Sequence, residues 1–154
     1  MIYISHRGNL YGPSELENFP SQVDLCLNFK FDCEIDLWVH DGRYFLGHDF
    51  GEHHIEKDWL DQRKKKLWIH CKNSEAVEIL KAANDKSVNY FWHENDSYTL
   101  TSTGHIWVFP GKRILKGSIA VLPEIWDTLE TSLEISLAGG ICTDYPFKYI
   151  GKYN

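Results

Sequence analysis

With 154 residues, 43% of them hydrophobic and 14% aromatic, the chain is long enough for one well-buried core and too short for two ordinary domains, so we expect residues 1–154 to form a single domain. The formal net charge of −6 argues against general binding to nucleic acid, because that binding needs a basic surface. No apolar run approaches the roughly 18 residues of a membrane helix and the N-terminus lacks the pattern of a signal peptide, so we expect a cytoplasmic protein with no membrane-spanning segment.

Short β-rich runs alternate with segments of helical period along the chain, which is typical of an α/β fold with mostly parallel strands. Strands are predicted over residues 2–6, 31–39, 44–47, 67–71, 89–93, 106–109, 118–122 and 140–143. Helices are predicted over residues 21–29, over 56–66, and from a cap at 73–74 to about 83. A last helix should begin at Pro123, with Ile125, Leu129, Leu133 and Leu137 on one apolar stripe.

Two connections are unusual for a parallel sheet. A crossover between parallel strands usually takes a dozen or more residues, yet residues 109–118 leave only a short segment rich in glycine and lysine. Residues 95–105 have the pattern of a turn and a further strand, not of a helix. The fold we expect is therefore α/β, as a compact or reduced TIM-type (β/α) barrel from which some outer helices are missing.

Polar residues cluster at the carboxyl ends of the predicted strands, where α/β folds have their active sites. His6, Arg7 and a turn glycine end the first strand. A histidine in this position is explained as well by a structural role as by a functional one.

Glu34 and Asp36 form the strongest local pattern. They stand at i and i+2 within an apolar strand, so both side chains point to the same face. Two like charges on one buried face repel and are costly to desolvate, and a hard divalent cation such as Mg²⁺ or Ca²⁺ would compensate them. The alternative is that this face is exposed on an edge strand.

Later predicted strands also end in polar residues. His48 leaves a short strand beside a glycine, and His70 and Lys72 share one face of the strand that follows. A lysine that points inward at a strand end usually meets an anion. His93 has three open explanations, as a metal ligand, a substrate contact or a hydrogen-bonded core residue.

Two further patterns are expected to be structural. The four cysteines form no CxxC pair, which predicts buried free thiols and no zinc knuckle. The basic run at residues 63–66 is expected to be a solvated helix end. Several tryptophans lie in or beside strands and belong either to the core or to a ligand pocket: Trp38, Trp68, Trp92 and Trp107.

Taken in order, these motifs resemble the glycerophosphodiester phosphodiesterase family, part of a wider group of TIM-barrel phosphodiesterases. The matching segments are His6-Arg7-Gly8, Glu17-Asn18, Glu34-Ile35-Asp36, Gly47-His48-Asp49, a strand ending in Lys72, and Thr143-Asp144-Tyr145-Pro146. The matching segments keep the family's order and rough spacing over nearly the whole chain, and most of them lie in its first half.

The resemblance implies a metal-dependent hydrolase that cleaves a small-molecule phosphodiester. It implies a metal on Glu34 and Asp36, with His6 and His48 as the acid/base pair and Arg7 and Lys72 beside the phosphate. We further expect Asn18 and His93 to contact the substrate, together with Arg7 and Lys72.

The chain departs from the family at two points. His70 stands where the family has a third acidic ligand, which would tilt metal preference from Mg²⁺ or Ca²⁺ towards Mn²⁺. The chain is also shorter than the roughly 200-residue lower end of such barrels. Two alternatives stay open: an inactive relative that binds a phosphorylated ligand, and a small metal-binding α/β protein with unrelated chemistry.

Overall fold

The structure is a computed structural model that describes residues 1–126 and 133–152. Its strands are β1 Ile2–Ser5, β2 Asp32–His40, β3 Arg43–Leu46, β4 His53–Ile55, β5 Leu67–Cys71, β6 Asn89–Phe91, β7 Tyr98–Leu100, β8 Ile106–Val108, β9 Ile119–Val121 and β10 Gly140–Thr143. Its α-helices are α1 Pro20–Asn28, α2 Lys57–Arg63, α3 Ser74–Ala83 and α4 Pro146–Tyr149. Short 3₁₀ turns cover His6–Gly8, Lys64–Lys66 and Pro123–Trp126.

The strands form one curled, mostly parallel sheet. Its main path runs β6, β5, β2, β1, β10, β9, β8, β7, and every pairing in it is parallel except that of β7 with β8. The first strand therefore pairs with the last described one. A hairpin of β3 and β4 continues antiparallel from the second half of β2.

The two ends of this path approach each other without pairing as strands. The rings of Phe91 in β6 and Trp107 in β8 have their centres 4.6 Å apart. The amide of Ser102 donates a hydrogen bond of 2.8 Å to the carbonyl of Tyr90. Among the described residues no ladder joins β6 to β8, so the observed fold is mixed α/β with a curled sheet and few helices.

The alternation of β2 separates two cores. Cys33, Ile35, Leu37 and Val39 face outward into an apolar cluster under α1 and α3. The intervening carboxylates face the concave side, where the indole Nε1 of Trp68 donates to Asp32 at 3.1 Å. This concave side holds a second cluster, formed by Ile4, Trp68, Phe91, Trp107, Ile119, Val121 and Cys142.

Local signals explain where the longer helices begin. Pro20 starts α1, and its fixed φ suits a first helical turn. The side chain of Asn73 caps α3 by accepting a hydrogen bond from the amide of Ala76 at 3.2 Å. The helix ends at Asn84, which adopts a left-handed conformation with φ of 49°.

The two connections that the sequence marks as unusual lie within residues 92–118, which are all described, and they contain no helix. β6 leads into the β7–β8 hairpin and β8 leads into an irregular loop, with no helix in either connection. The predicted helix at Pro123 is only partly observed, as a 3₁₀ turn to Trp126 and a helical stretch at residues 133–135, while Leu129 lies outside the described residues.

One local prediction was wrong, and several others hold. His53 and His54 lie outside every predicted strand but form β4, because they pair with β3. All four cysteines are free and buried. The basic run pairs with nearby acids, for example Lys66 with Asp32 at 2.9 Å, as a solvated helix end should. None of the described helices has the length and apolarity required to cross a membrane.

Candidate functional site

A cavity of about 490 Å³ opens at the carboxyl ends of the parallel strands. Its polar wall consists of His6, Arg7, Glu34, His48, His70, Lys72, His93 and Glu94. Its apolar wall consists of Trp92, Trp107, Phe109, Pro110, Val121 and Leu122. The volume lies within the range of about 300–1,000 Å³ found for sites that hold small molecules.

His6 is held by a carboxylate from the far end of the chain. Its Nδ1 lies 2.8 Å from Oδ1 of Asp144, which also accepts a hydrogen bond of 2.8 Å from the side-chain amide of Asn9. Burial would lower the pKa of His6, but the bond to Asp144 and the charge of Glu34 outweigh it and raise this pKa. Burial would raise the pKa of Asp144, but the bond to His6 outweighs it and lowers this pKa. The pair therefore favours a protonated His6 whose Nε2 is not used by Asp144.

Arg7 follows in a left-handed conformation, with φ of 51°. Its Nε lies 2.9 Å from Oδ2 of Asp36, and its Nη1 donates to Glu17 at 3.0 Å. Its backbone amide donates to Glu34 at 3.2 Å. Arg7 thus links the first loop to both carboxylates of β2, to Asp36 through its guanidinium and to Glu34 through its backbone amide.

The two carboxylates of β2 occupy different electrostatic environments. Burial, with the charge of Asp36 beside it, raises the pKa of Glu34. Burial would raise the pKa of Asp36 as well, but contacts with His70, Arg7 and Lys72 outweigh it and hold this pKa well below its ordinary value. Asp36 is therefore ionised at neutral pH in a fully buried position.

Asn18 holds Asp36 in place from behind. Its Nδ2 donates a hydrogen bond of 2.9 Å to Oδ2 of Asp36. Its Oδ1 accepts a hydrogen bond of 2.9 Å from the backbone amide of Asp36. Asn18 is 1% exposed and is not part of the cavity wall. The structure thus gives it a positioning role, whereas the sequence had suggested a substrate contact.

The geometry around His70 fits a divalent cation. Its Nε2 lies 2.8 Å from the carbonyl oxygen of His93, and a carbonyl only accepts, so this nitrogen carries a hydrogen. Its Nδ1 then faces Oδ1 of Asp36 at 3.1 Å. Unless His70 carries a second proton, two lone pairs face each other there, a repulsion that a cation between them would remove.

Two further observations support the same fit. Oδ1 of Asp36 is buried and has no hydrogen-bond partner in the described part of the chain. Ligand atoms of Glu34, Asp36 and His70 all lie within 4.8 Å of one another. Histidines that bind metals usually donate their other ring nitrogen to a carbonyl or carboxylate, as His70 does. The donor set of two carboxylates and one imidazole is therefore suited to a divalent ion.

His48 reaches the cavity by way of the β2–β3 hairpin. Because Leu37 pairs with Leu46, the reversed chain brings residue 47 back beside Asp36, and its amide donates to the carbonyl of Asp36 at 3.2 Å. A side chain at Gly47 would place its Cβ 2.1 Å from the carbonyl oxygen of Phe50, so only glycine fits. The Nδ1 of His48 lies 2.7 Å from Asp49, and its side chain remains 47% exposed.

His93 projects from the end of β6 with no polar partner. Neither ring nitrogen has a hydrogen-bond partner within residues 1–126 and 133–152, although both are buried. Its ring lies 5.2 Å from that of Phe109. Burial, together with the charge of His70, lowers the pKa of His93. His93 thus lines the cavity with both of its ring nitrogens buried.

The structure brings the residues expected from the sequence together, with the exception of Asn18. His6, Arg7, His48, Lys72 and His93 line one cavity, as do Glu34 and His70, and Asp36 lies directly behind Lys72, whose Nζ is 3.4 Å from Oδ1 of Asp36. Of the tryptophans, Trp92 and Trp107 line the cavity, Trp68 is buried below it, and Trp38 is on the hairpin.

No role was predicted from the sequence for Asp144 or Asn9. Asp144 follows β10 at a strand end, like the other polar residues of the cluster, and this position was the available signal. Asn9 lies in the loop after His6, where nothing in the sequence distinguishes a buried amide from an exposed one.

Comparison of the chain with protein-family models, with curated proteins and with solved structures finds no match. The resemblance to the glycerophosphodiester phosphodiesterases therefore rests on the ordered motifs, and function has to be inferred from the geometry of the site.

Proposed function

We propose that the protein is a metal-dependent phosphodiesterase that hydrolyses a glycerol-type phosphodiester by paired-histidine acid/base catalysis. The single observation that carries this proposal is the meeting of two histidines, two cationic side chains and a three-residue donor set at one cavity. A phosphodiester needs these groups, because its negative charge repels nucleophiles and its leaving alkoxide requires a proton.

We also propose that the curled sheet is a reduced TIM-type barrel. The parallel strands β1, β2, β5, β6, β8, β9 and β10 neighbour one another in chain order, and β1 pairs with β10. This order is the one that a closed (β/α) barrel has, with the seam between β6 and β8 left unpaired.

Glu34, Asp36 and His70 would hold the divalent ion, which when bound supplies positive charge for the non-bridging oxygens of the phosphate. Mn²⁺ is favoured alongside Mg²⁺ and Ca²⁺ because imidazole is one of the three donors. Arg7 and Lys72 contribute further positive charge from the same wall of the cavity. Their contacts with Asp36 keep both cations oriented before substrate binds.

The acid/base roles follow from the partners of the two histidines. His6 is favoured in its protonated form by Asp144, which suits the acid that gives its Nε2 proton to the leaving alkoxide. His48 is then the base that removes the proton from the attacking hydroxyl. By analogy with the resembled family, that hydroxyl is the neighbouring one of the substrate: a new phosphorus–oxygen bond forms to it as the bond to the leaving alcohol breaks. Water then opens the resulting cyclic phosphate, which completes the hydrolysis.

One observation favours a second candidate, a relative that binds a phosphorylated ligand without cleaving it. Nζ of Lys72 lies 3.4 Å from Oδ1 of Asp36 and Nε of Arg7 lies 2.9 Å from its Oδ2, so side-chain cations already compensate its charge without an added ion. A protein of this kind would bind phosphate esters in the presence of EDTA and hydrolyse none.

Hydrolysis of a panel of glycerophosphodiesters with Mg²⁺, Ca²⁺, Mn²⁺ or EDTA tests the proposal. Activity is expected with at least one metal and not with EDTA. The double variant Glu34→Gln/Asp36→Asn should lose divalent-ion binding in a titration, because amides carry no charge to hold the ion. Far-UV circular dichroism should show that it stays folded, and Glu34→Gln alone serves if it does not.

The matched control is Asp61→Asn, which removes a carboxylate on α2 that pairs with Lys57 and should leave ion binding as in the wild type. Unchanged ion affinity in the double variant would refute the metal assignment. Metal binding by the wild type without hydrolysis of any diester would favour the second candidate.

A further inference from the structure

The backbone amide of Asp144 lies just beyond the end of the sheet. β9 pairs with β10 as far as Cys142, and β1 pairs with it as far as Thr143. Neither neighbouring strand therefore offers a ladder partner to the next residue, although Asp144 is only 7% exposed. A buried amide in this position needs an acceptor from outside the sheet, because an unpaired one costs about 1–3 kcal/mol.

That acceptor is Glu124, which belongs to the 3₁₀ turn after β9. Its Oε1 accepts a hydrogen bond of 2.8 Å from the amide of Asp144 and another of 2.8 Å from the hydroxyl of Thr143. The same hydroxyl accepts a bond of 3.0 Å from the amide of Tyr145. One carboxylate oxygen thus holds three successive residues at the end of β10, two directly and one through Thr143.

The chain turns sharply between β9 and Glu124. Leu122 has a φ of 46°, a conformation that a bulky side chain rarely adopts. Its amide donates a hydrogen bond of 2.7 Å to the carbonyl of Cys142, and its own carbonyl accepts one of 3.1 Å from the amide of Ile125. Backbone strain of this kind persists where the surroundings hold it, and it is concentrated at functional sites. Here the strained turn leads directly into the residue that contacts Asp144.

Asp144 is held from the opposite side as well. Its carbonyl accepts a hydrogen bond of 2.9 Å from the amide of Gly12, and its Oδ1 accepts one of 2.8 Å from the side chain of Asn9. Both backbone polar groups of Asp144 are therefore fixed, the amide by Glu124 and the carbonyl by the loop after His6. The carboxylate that contacts His6 thus projects from a backbone that is held at two points.

We infer that Glu124 is a positioning residue for His6 and that it acts through Asp144. Glu124 does not line the cavity, so a substrate bound there would not touch it. Its role is to hold the backbone of Asp144 where the carboxylate orients the imidazole. This inference rests on the proposed function for the catalytic role of His6, and it goes beyond it by assigning that role a support outside the cavity.

NMR of the protein labelled with isotopic nitrogen in its histidines tests the inference without a substrate. The proton between Nδ1 of His6 and Asp144 should give a downfield signal that is absent from His6→Ala, because both side chains are largely shielded from water, at 13% and 10% exposed. Glu124→Ala removes the acceptor for the amide of Asp144, so the signal should shift upfield or disappear. Glu124→Gln keeps an oxygen that can accept both hydrogen bonds, so it should retain the signal.

Hydrolysis of a diester gives a second readout. Glu124→Ala should lower kcat by about 10- to 100-fold and leave KM within about threefold of the wild type, because a displaced acid affects the chemical step and not binding. Glu124→Gln should restore kcat to within about threefold of the wild type. Glu75→Ala is the control, because Glu75 also accepts hydrogen bonds from two backbone amides, those of Asp41 and Gly42, and does not line the cavity. It should leave the signal and the rate unchanged.

The NMR result separates this inference from the proposed function. Loss of the His6 signal in Glu124→Ala alone, in a protein that hydrolyses no diester, would sink the phosphodiesterase proposal and support the positioning role. An unchanged signal or wild-type kcat in Glu124→Ala, loss of the signal in Glu124→Gln or Glu75→Ala, or its absence from the wild type would each overturn the inference. If circular dichroism shows that Glu124→Ala is unfolded, Glu124→Asp takes its place, because it keeps the charge but withdraws it by one methylene.

Discussion

The bond between His6 and Asp144 allows a prediction about stability and activity together. Oδ1 of Asp144 accepts two hydrogen bonds of 2.8 Å, and its side chain is 10% exposed. Asp144→Asn keeps the shape and one acceptor oxygen but removes the charge. A hydrogen bond to a charged group contributes about 1 kcal/mol more than a neutral one, so two bonds give a loss of about 2 kcal/mol. For a chain of this size the melting temperature should fall by roughly 4–8 °C.

The loss should depend on pH in a defined way. The pKa of His6 is raised in the folded protein, so its contribution is complete below the unfolded pKa of about 6.5 and is lost as pH rises through the raised value. The pKa of Asp144 is lowered, so its contribution is complete above about 3.9 and is lost as pH falls through the lowered value. The free-energy difference between wild type and Asp144→Asn should therefore be greatest between about pH 4 and pH 6.5.

Urea unfolding over a pH series measures this difference, and Asp61→Asn is the control for removing an exposed carboxylate. Hydrolysis by Asp144→Asn should fall by about two to four orders of magnitude, because His6 loses the partner that sets its protonation and orientation. A pH-independent difference in unfolding free energy, or wild-type activity in Asp144→Asn, would refute the role given to the pair.

Two further predictions concern His48. Replacing His48 or His6 singly by alanine should lower diester hydrolysis by roughly two to four orders of magnitude, while ion titration should show that metal binding is retained. The double variant should lose much less activity than the product of the two single losses, because the two histidines act as a unit. Full activity of His48→Ala would exclude His48 as a base. Gly47→Ala should reduce the unfolding free energy in urea by more than about 3 kcal/mol, because the new Cβ meets the carbonyl oxygen of Phe50 at 2.1 Å. The matched Gly42→Ala, whose Cβ meets nothing within 4 Å, should cost about 1 kcal/mol, and similar losses in both would contradict the close-approach argument.

Much of the site could be predicted because strand periodicity acts locally. The i and i+2 spacing of Glu34 and Asp36 puts both on one face whatever the rest of the chain does, and the structure has both on the concave side. His70 and Lys72 follow the same rule on the neighbouring strand. This alternation is a reliable guide, because a strand has only two faces and residues two apart always share one of them.

The remainder depends on contacts that no local pattern encodes. β4 exists because residues 53–55 pair with β3, and its two histidines have little strand preference of their own. The distinction between Asn18 as a substrate contact and Asn18 as a support for Asp36 depends on which side of β2 its loop packs. The partnership of Asp144 with His6 requires β1 and β10 to be neighbours, which only the sheet order determines.

The pairing of β1 with β10 makes the order of synthesis matter for the assembly of the cavity. A chain emerging from the ribosome presents His6, both carboxylates, His48 and Lys72 within its first half, yet Nδ1 of His6 lacks the carboxylate it contacts until residue 144 has emerged. Joining groups 138 positions apart closes a long loop, and such contacts form late in folding. An interrupted chain that ends before β10 would therefore carry most of the polar side chains of the cavity without the partner of His6. Under the proposed function, such fragments would hydrolyse phosphodiesters poorly.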